Sequence, residues 1–76
     1  MKQVLTDIVK SIVDNPDEVV VLEKVSGDMS ILELSVAKDD MGKVIGRQGR
    51  IAKEIRTVIR SYAQRTGEKV SVDIVD

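Results

Sequence analysis

The 76-residue sequence contains no cysteine and no histidine. Without cysteine, the chain has neither a disulfide framework nor a thiolate nucleophile. Without histidine as well, it lacks the usual zinc ligands and the commonest general base near neutral pH. We therefore expect a protein that is not an enzyme and that holds neither a metal nor another cofactor.

Long apolar runs are also missing, and no stretch approaches the ~20 residues that a membrane-spanning helix needs. The first ten residues alternate apolar and polar side chains too often for the core of a signal peptide. A soluble protein of the reducing cytoplasm, without a membrane partner, is the simplest interpretation. The chain is 42% apolar and 33% charged, which is ordinary for one small globular domain spanning residues 1–76.

Charge is unevenly distributed along the chain, although the net charge is only −1. Residues 1–37 carry three Lys or Arg against seven Asp or Glu, and residues 66–76 carry one against three. Residues 38–65 reverse this balance, with eight basic residues against three acidic ones. One basic segment inside an acidic protein can steer a polyanion to one place on its surface.

Apolar spacing predicts a helix and then a β-hairpin in the first half of the chain. Six apolar residues within residues 4–13 recur at helical period, and residues 14–16 (Asp-Asn-Pro) are expected to end that helix. Residues 19–25 are rich in β-branched side chains, and residues 30–36 alternate apolar and polar. The glycine-containing turn between them favours antiparallel pairing.

The second half predicts a short helix, a long helix and a closing strand. Asp39 and Asp40 mark a helix start, because short acceptor side chains and negative charge suit the free N–H groups there. Residues 41–45 form the short helix, Gly49 opens the long one, and residues 70–74 alternate as a strand does. The order α-β-β-α-α-β predicts an α+β fold, with three helices on one face of a three-stranded sheet.

The long helix is expected to bury an apolar stripe about 140° wide. The members of this stripe are Ile51, Ile55, Val58, Ile59, Tyr62 and Ala63, with Ala52 at its margin. Lys53, Arg56 and Arg60 lie beside it, within about 60° of each other on the helical wheel. The helix therefore combines a core-facing surface with a positive one.

The loop Gly46-Arg47-Gln48-Gly49 joins the two helices and is the candidate functional loop. Gly46 can end the first helix with positive φ and let another backbone come close. Gly49 leaves the N–H groups at the start of the next helix unshielded, and these groups together with the helix dipole can bind a phosphate. Arg47 and Gln48 should project outward. The cations placed around the loop by helical spacing are Lys43, Arg50 and Lys53.

Residues 44–55, VIGRQGRIAKEI, resemble the signature of the KH domain: an apolar pair, G-x-x-G, then apolar residues down a helix. In that RNA-binding family, the G-x-x-G loop clamps four backbone nucleotides. The element order resembles the type II, prokaryotic arrangement, which implies a mixed sheet. The resemblance covers nearly the whole chain. It implies binding of single-stranded RNA and a role in post-transcriptional regulation.

The resemblance also implies roles for particular residues. Gly46 and Gly49 would permit close backbone approach, and Arg47 and Gln48 would contact the sugar-phosphate chain. An apolar floor would be lined by Ile45, Ala52 and Ile55, and a basic rim by Lys43, Arg50 and Lys53. Arg56 is also expected to bind RNA. Ala52 departs from the family pattern, in which a larger aliphatic residue is common, so the groove should be shallower there.

Dimerisation is a further implication of the resemblance, either with a second copy or with a larger KH-containing bacterial protein. A rival interpretation is an interaction module, in which the fold serves dimerisation and RNA binding is incidental. A DNA-binding helix-turn-helix is a third interpretation, disfavoured by the long apolar stripe and the closing strand. Other RNA-binding folds stack bases on exposed aromatic rings, and Tyr62 is the only aromatic residue here.

Four further residues have both an ordinary and a functional interpretation. Asp39 and Asp40 are paired carboxylates, but no third ligand accompanies them, so a helix start is favoured over a metal or acid–base site. Tyr62 lies on the apolar stripe and is interpreted as a core or dimer contact. For Arg65, a solvated helix face is favoured.

Overall fold

The computed structural model describes residues 1–75 and has the predicted element order α-β-β-α-α-β. The elements are α1 Lys2–Lys10, β1 Val20–Ser26, β2 Met29–Ser35, α2 Met41–Ile45, α3 Arg50–Thr66 and β3 Lys69–Ile74. Short 3₁₀ turns lie at Pro16–Glu18, Lys38–Asp40 and Arg47–Gly49. Within residues 1–75, no helix is long and apolar enough to cross a membrane. The expected domain boundary at residue 76 lies outside the described residues.

The three strands form one mixed sheet in the order β1-β2-β3. β1 and β2 are antiparallel, and their last pair, Ser26 with Met29, encloses a two-residue turn in which Gly27 has φ +62°. Positive φ at that position suits glycine, which has no Cβ to clash. β3 lies parallel to β2, so α2 and α3 form the crossover between these two strands.

The helices cover one face of the sheet, and the core lies between the two layers. The register places Val21 opposite Leu34 and Leu32 opposite Val72, and all four side chains are buried. Their core partners from the helices are Leu5, Val9, Val44, Ile55 and Ile59. On the opposite face of the sheet, Val20 remains exposed. The predicted two-layer α+β fold, with alternate residues of β2 facing the core, is therefore confirmed.

The end of α1 differs from the sequence prediction. The helix ends at Lys10, although its apolar pattern continues to residue 13. Ser11 and Ile12 donate backbone hydrogen bonds to carbonyls three residues back, which tightens the final turn, and the Ser11 hydroxyl donates to Ile8 O at 2.6 Å. Pro16 therefore does not stop α1. It begins the separate turn Pro16–Glu18, where its missing N–H costs no hydrogen bond.

Candidate nucleic-acid interface

The loop between α2 and α3 has an unusual backbone, with positive φ at three of its four residues. Gly46 has φ +74°, Gln48 φ +57° and Gly49 φ +73°. The positive φ that the sequence predicts for Gly46 at the end of α2 is confirmed, and its N–H donates to Gly42 O at 2.9 Å. The left-handed conformation of Gln48 is not apparent from the sequence. A residue with a Cβ pays roughly 1–2 kcal/mol there, so the surrounding loop must hold it.

The two glycines of the loop occupy very different surroundings. A Cβ on Gly46 would lie 2.3 Å from Ile51 Cγ1 and 2.9 Å from Ile51 N. A Cβ on Gly49 would meet no atom within 4 Å. The close approach at Gly46 is therefore made by the protein's own chain, where α3 begins. The surface at Gly49 is open to an approaching molecule.

The first turn of α3 offers N–H groups without a side-chain cap. Gly49 occupies the N-cap position and no side chain bonds to the turn. One N–H group is already used, because Arg50 N donates to Arg47 O within the 3₁₀ turn. The expectation that all these groups are unshielded therefore holds only for those beyond Arg50. The 17-residue α3 still places the positive end of its dipole at the loop.

Three cations beside the loop, Arg47, Arg50 and Lys53, are exposed and have no ion-pair partner within residues 1–75. Arg47 and Gln48 project outward as predicted, and Arg50 and Lys53 are exposed on the first turns of α3. Arg50 and Lys53 help to line a shallow pocket of about 530 Å³ along the outer side of α3. The ion pairs in the described part of the chain involve only Lys24, Lys43 and Lys69. The charges of Arg47, Arg50 and Lys53 are therefore available to a ligand.

The structure divides the predicted basic stripe between two surfaces. Lys53 lies with the loop, whereas Arg56 and Arg60 lie against β3 and line a separate pocket of about 260 Å³. The Arg56 Nε donates to Val72 O at 3.1 Å. This bond fixes Arg56 beside the free edge of β3, because β3 pairs only with β2. The helical wheel cannot reveal which side of the stripe meets a strand.

The predicted apolar floor is mostly inside the protein. Ala52 is 5% exposed and Ile55 is 4% exposed, and Ile55 belongs to the core cluster. Ile45, at the end of α2, is 39% exposed. Of the three predicted floor residues, Ile45 therefore offers most of the surface that a base can contact.

Asp40 does not have the role that the sequence suggests. It precedes α2, but its side chain makes no capping hydrogen bond. The carboxylate is instead buried, 1% exposed, and accepts hydrogen bonds from Asp14 N, Asn15 N and Asn15 Nδ2 at 3.1, 3.0 and 3.0 Å. The helix start is correctly predicted, and capping by Asp40 is wrong. No group of three or more His, Cys, Asp or Glu suited to a metal occurs within residues 1–75.

Lys43 is also occupied in a way that the sequence does not reveal. Its ammonium forms an ion pair with Asp14. Burial on its own would raise the pKa of Asp40, but the hydrogen bonds from residues 14 and 15 and the nearby Lys43 charge hold it below 3.8. The hydrogen bond to Asp14 raises the pKa of Lys43 above 10.5. The Lys43 ammonium is therefore already paired, and a phosphate must compete with Asp14 for it.

One flank of α3 leaves apolar side chains uncovered. Ile8, Ile12, Ile51 and Val58 contribute to a groove of about 220 Å³ between α1 and α3. Tyr62 continues this flank, is 45% exposed, and has the Arg65 guanidinium 6.0 Å from its ring centroid. The wheel correctly places Ile55, Ile59 and Ala63 in the core, but Val58 and Tyr62 lie outside it. We call the exposed set Ile12, Val58 and Tyr62 the apolar flank.

Comparison with known proteins identifies the family. Residues 2–74, nearly the whole chain, match the family model described as "KhpA/KhpB, KH domain". The chain belongs to the KhpA/KhpB family of KH domains. The KH signature recognised at residues 44–55 is therefore confirmed at the level of the family.

Individual KhpA proteins match over their full lengths. The RNA-binding protein KhpA of Clostridium acetobutylicum is 60% identical over 76 residues, covering 99% of this chain and 100% of the relative. KhpA of Clostridium perfringens is 51% identical, with 99% and 100% covered. KhpA of Chlamydia trachomatis is 47% identical, with 100% and 97% covered.

A solved structure shares the fold. The crystal structure of Aquifex aeolicus Era Y63A bound to GDP·AlF₄⁻ superposes with a TM-score of 0.63. The match covers 96% of this chain but only 28% of the Era chain, at 16% identity. A likeness at this identity concerns the fold alone.

The relatives above carry the name RNA-binding protein KhpA. Neither that name nor the family match assigns contacts to individual residues. The roles of the loop, floor and rim residues stay predictions, as does the cytoplasmic location.

Proposed function

We propose that this KH domain binds single-stranded RNA through the Gly46–Gly49 loop and thereby acts in post-transcriptional regulation in the cytoplasm. The observation that carries the proposal is the open side of the loop. Gly49 has empty space where a Cβ would lie, and the neighbouring Arg47 and Arg50 have no ion-pair partner within residues 1–75. An RNA backbone can approach there without displacing protein atoms.

The proposed binding mode places a phosphate beside Gly49 and the uncapped N–H groups of α3. Arg47 pairs with the sugar-phosphate chain, and Gln48 donates or accepts a hydrogen bond. Arg50 and Lys53 form the rim on the outer side of α3, and the bases pass toward Ile45. Ala52 and Ile55 support the floor from beneath, with little surface of their own. Arg56 belongs to the rim on the β3 side, and Lys43 joins the rim when it leaves Asp14.

A single strand fits this surface better than a duplex. Within residues 1–75 the aromatic surface consists of Tyr62, which lies near the C-terminal end of α3, at the opposite end of the helix from the loop. Recognition must therefore rely on a phosphate clamp, backbone edges and an aliphatic contact at Ile45. Such a small clamp implies weak binding, on the order of 10⁻⁴ to 10⁻⁶ M, with a clear dependence on salt.

Dimerisation is the second element of the proposal and rests on the apolar flank. Ile12 lies just after the end of α1, Val58 and Tyr62 lie on α3, and all three are exposed large apolar side chains. We propose that a second copy, or a larger KH-containing protein, covers this flank. Val58 also lines the pocket that contains Arg50 and Lys53, so the flank adjoins one side of the proposed rim, whereas Arg47 and Gly49 line neither that pocket nor the apolar groove. Dimerisation would raise the apparent affinity for long strands. The same flank is what favours the rival function, an interaction module without an RNA role.

The test is the double variant Arg47→Asp with Gln48→Asp. Its matched control is Gln64→Asp with Arg65→Asp, which makes the same two substitutions at the other end of α3. All four side chains are exposed, so each double variant should melt within a few degrees of the wild type. Fluorescence anisotropy with a labelled 20-nucleotide RNA, at 50 mM and 500 mM salt, measures binding.

We expect the loop variant to lose binding and the control to keep most of it. Both variants change the net charge equally, so only the position of the charge separates them. If the loop variant melts normally and binds RNA as the wild type does, the proposed phosphate clamp at this loop is wrong. The interaction module would then become the leading function. Tight binding of a perfect duplex would favour the helix-turn-helix interpretation instead.

A further inference from the structure

Asp40 is the one fully buried charged side chain among residues 1–75. All of its hydrogen-bond donors come from one place, the segment between α1 and β1. Asp14 N donates to Oδ1, and Asn15 N and Asn15 Nδ2 both donate to Oδ2. The carboxylate thereby joins two segments that are 25 residues apart in the sequence.

A buried carboxylate is costly unless it is fully hydrogen-bonded, so its position calls for an explanation. Stability alone is often served as well or better by apolar packing at such a position. What is particular to Asp40 is its location immediately before α2, the five-residue helix that leads into the Gly46–Gly49 loop.

α2 is too short to be stable by itself, so tertiary contacts must fix its direction. Three contacts are present along its length. Asp40 binds the Asp14–Asn15 segment at the start, Val44 is buried in the core, and Gly46 packs against Ile51 at the end. Val44 and Gly46 fix the middle and the end of α2. Asp40 supplies the anchor at its start.

We propose that Asp40 is a positioning residue for RNA binding: by anchoring the start of α2 to Asp14 and Asn15, it sets the orientation of the Gly46–Gly49 loop. The proposal rests on the proposed function, because it assumes that this loop binds RNA. The Lys43–Asp14 ion pair joins the same two segments. Its side chains are 45% and 76% exposed, so Asp40 carries the connection.

The variant Asp40→Asn is decisive because its two effects should change RNA affinity in opposite directions. One effect is the loss of a negative charge, and the other is the weakening of the contact that orients α2. Removal of a negative charge six residues from Gly46 should strengthen RNA binding on electrostatic grounds. The substitution also turns one of the two acceptor oxygens into a donor. Whichever way the amide lies, its NH₂ group faces at least one of the donors of Asp14 and Asn15, so the anchor is weakened at nearly constant volume. A loss of RNA affinity would therefore result from a changed orientation of the loop and not from the change of charge. Asp39→Asn, an exposed neighbour with the same change of charge, is the matched control.

The experiment measures RNA affinity by anisotropy well below each melting temperature, together with ¹H–¹⁵N spectra of the glycine amides. We expect Asp40→Asn to bind a 20-nucleotide RNA roughly tenfold more weakly. Its Gly42, Gly46 and Gly49 amide signals should move, whereas Gly27 and Gly67, which are remote from α2, should not. Asp39→Asn should bind as tightly as the wild type or more tightly.

Rescue tests the same contact from its other side. The double variant Asp40→Asn with Asn15→Asp exchanges donor and acceptor, so the amide at position 40 can donate to the carboxylate at position 15. It restores the net charge, and it should recover most of the lost affinity and the Gly46 and Gly49 signals. A residue that served stability alone would lower the melting temperature without moving these two signals or the affinity of the folded protein.

Each outcome decides the matter. Folded Asp40→Asn that binds like Asp39→Asn overturns the proposal. Should Asp40→Asn fail to fold, Asn15→Ala removes only the Nδ2 donor, and unchanged affinity in that folded variant overturns it as well. The loop variant Arg47→Asp with Gln48→Asp is measured in parallel. If it binds RNA as the wild type does, the proposed function has failed and the Asp40 proposal with it. If the loop variant loses binding, the proposed function holds, and the affinity of Asp40→Asn then decides the Asp40 proposal by itself.

Discussion

The two ends of the Gly46–Gly49 loop have the same residue type and nearly the same φ, but they differ in what surrounds them. At Gly46 the chain closes on itself, and Ile51 fills the space where a side chain would lie. At Gly49 the corresponding space is empty. One motif therefore contains a glycine that folding requires and a glycine that leaves room for a ligand. The spacing G-x-x-G does not tell the two apart.

Gly46→Ala should have the largest effect on stability. Its Cβ would lie 2.3 Å from Ile51 Cγ1, 2.8 Å from Ile51 Cβ and 2.9 Å from Ile51 N, at φ +74°. Overpacking against backbone and positive φ together should lower the free energy of unfolding by roughly 2–5 kcal/mol. Urea unfolding followed by circular dichroism measures this. A change below about 1 kcal/mol would show that α3 can move away from α2 freely.

Gly49→Ala should have a smaller effect on stability and a larger one on binding. The methyl group meets no protein atom, so the cost is the left-handed backbone alone, about 1 kcal/mol. The same methyl group occupies the surface that the proposal gives to the phosphate. Anisotropy with single-stranded RNA should therefore show weaker binding even under conditions in which the variant is fully folded. Unchanged affinity would mean that the ligand does not pass this glycine.

Gln48→Gly should have the smallest effects of the three variants. It should raise the free energy of unfolding and lower the RNA affinity. Gln48 has φ +57°, so glycine relieves strain, although it also adds freedom to the unfolded chain. The free energy of unfolding should rise by less than about 1 kcal/mol. RNA affinity should fall about two- to threefold, because one hydrogen bond of the side chain is lost. A fall in both quantities would show that the Gln48 side chain stabilises the loop.

Local patterns predict the fold and the loop well. The order of elements, the face of β2 that carries Leu32 and Leu34, and the positive φ of Gly46 all depend on neighbouring residues. Each is therefore visible in a short stretch of sequence. The family is also evident from residues 44–55, because its motif is contiguous.

Features that depend on distant segments were not predictable in the same way. Asp40 is indistinguishable from a helix cap in sequence, since its partners Asp14 and Asn15 lie 25 residues earlier. Arg56 reaches a carbonyl of β3, which a helical wheel does not contain. Tyr62 has the helical spacing of a core residue. Whether a residue with that spacing is buried depends on how α1 and the sheet pack against α3, which the sequence of α3 does not contain.

The parallel pairing of β2 with β3 has a consequence for when the loop acquires its shape. The β1–β2 hairpin can form early, because its partners are close in sequence. The β2–β3 pairing joins Met29 to Lys69, and the loop lies within the long connection between them. On a ribosome, that connection cannot close until residues 69–74 have emerged from the exit tunnel. Because α3 packs against β3, a nascent chain that has already displayed Gly46–Gly49 lacks the last support of the helix that follows the loop. Under the proposed function, binding of RNA would therefore require the last strand to be in place.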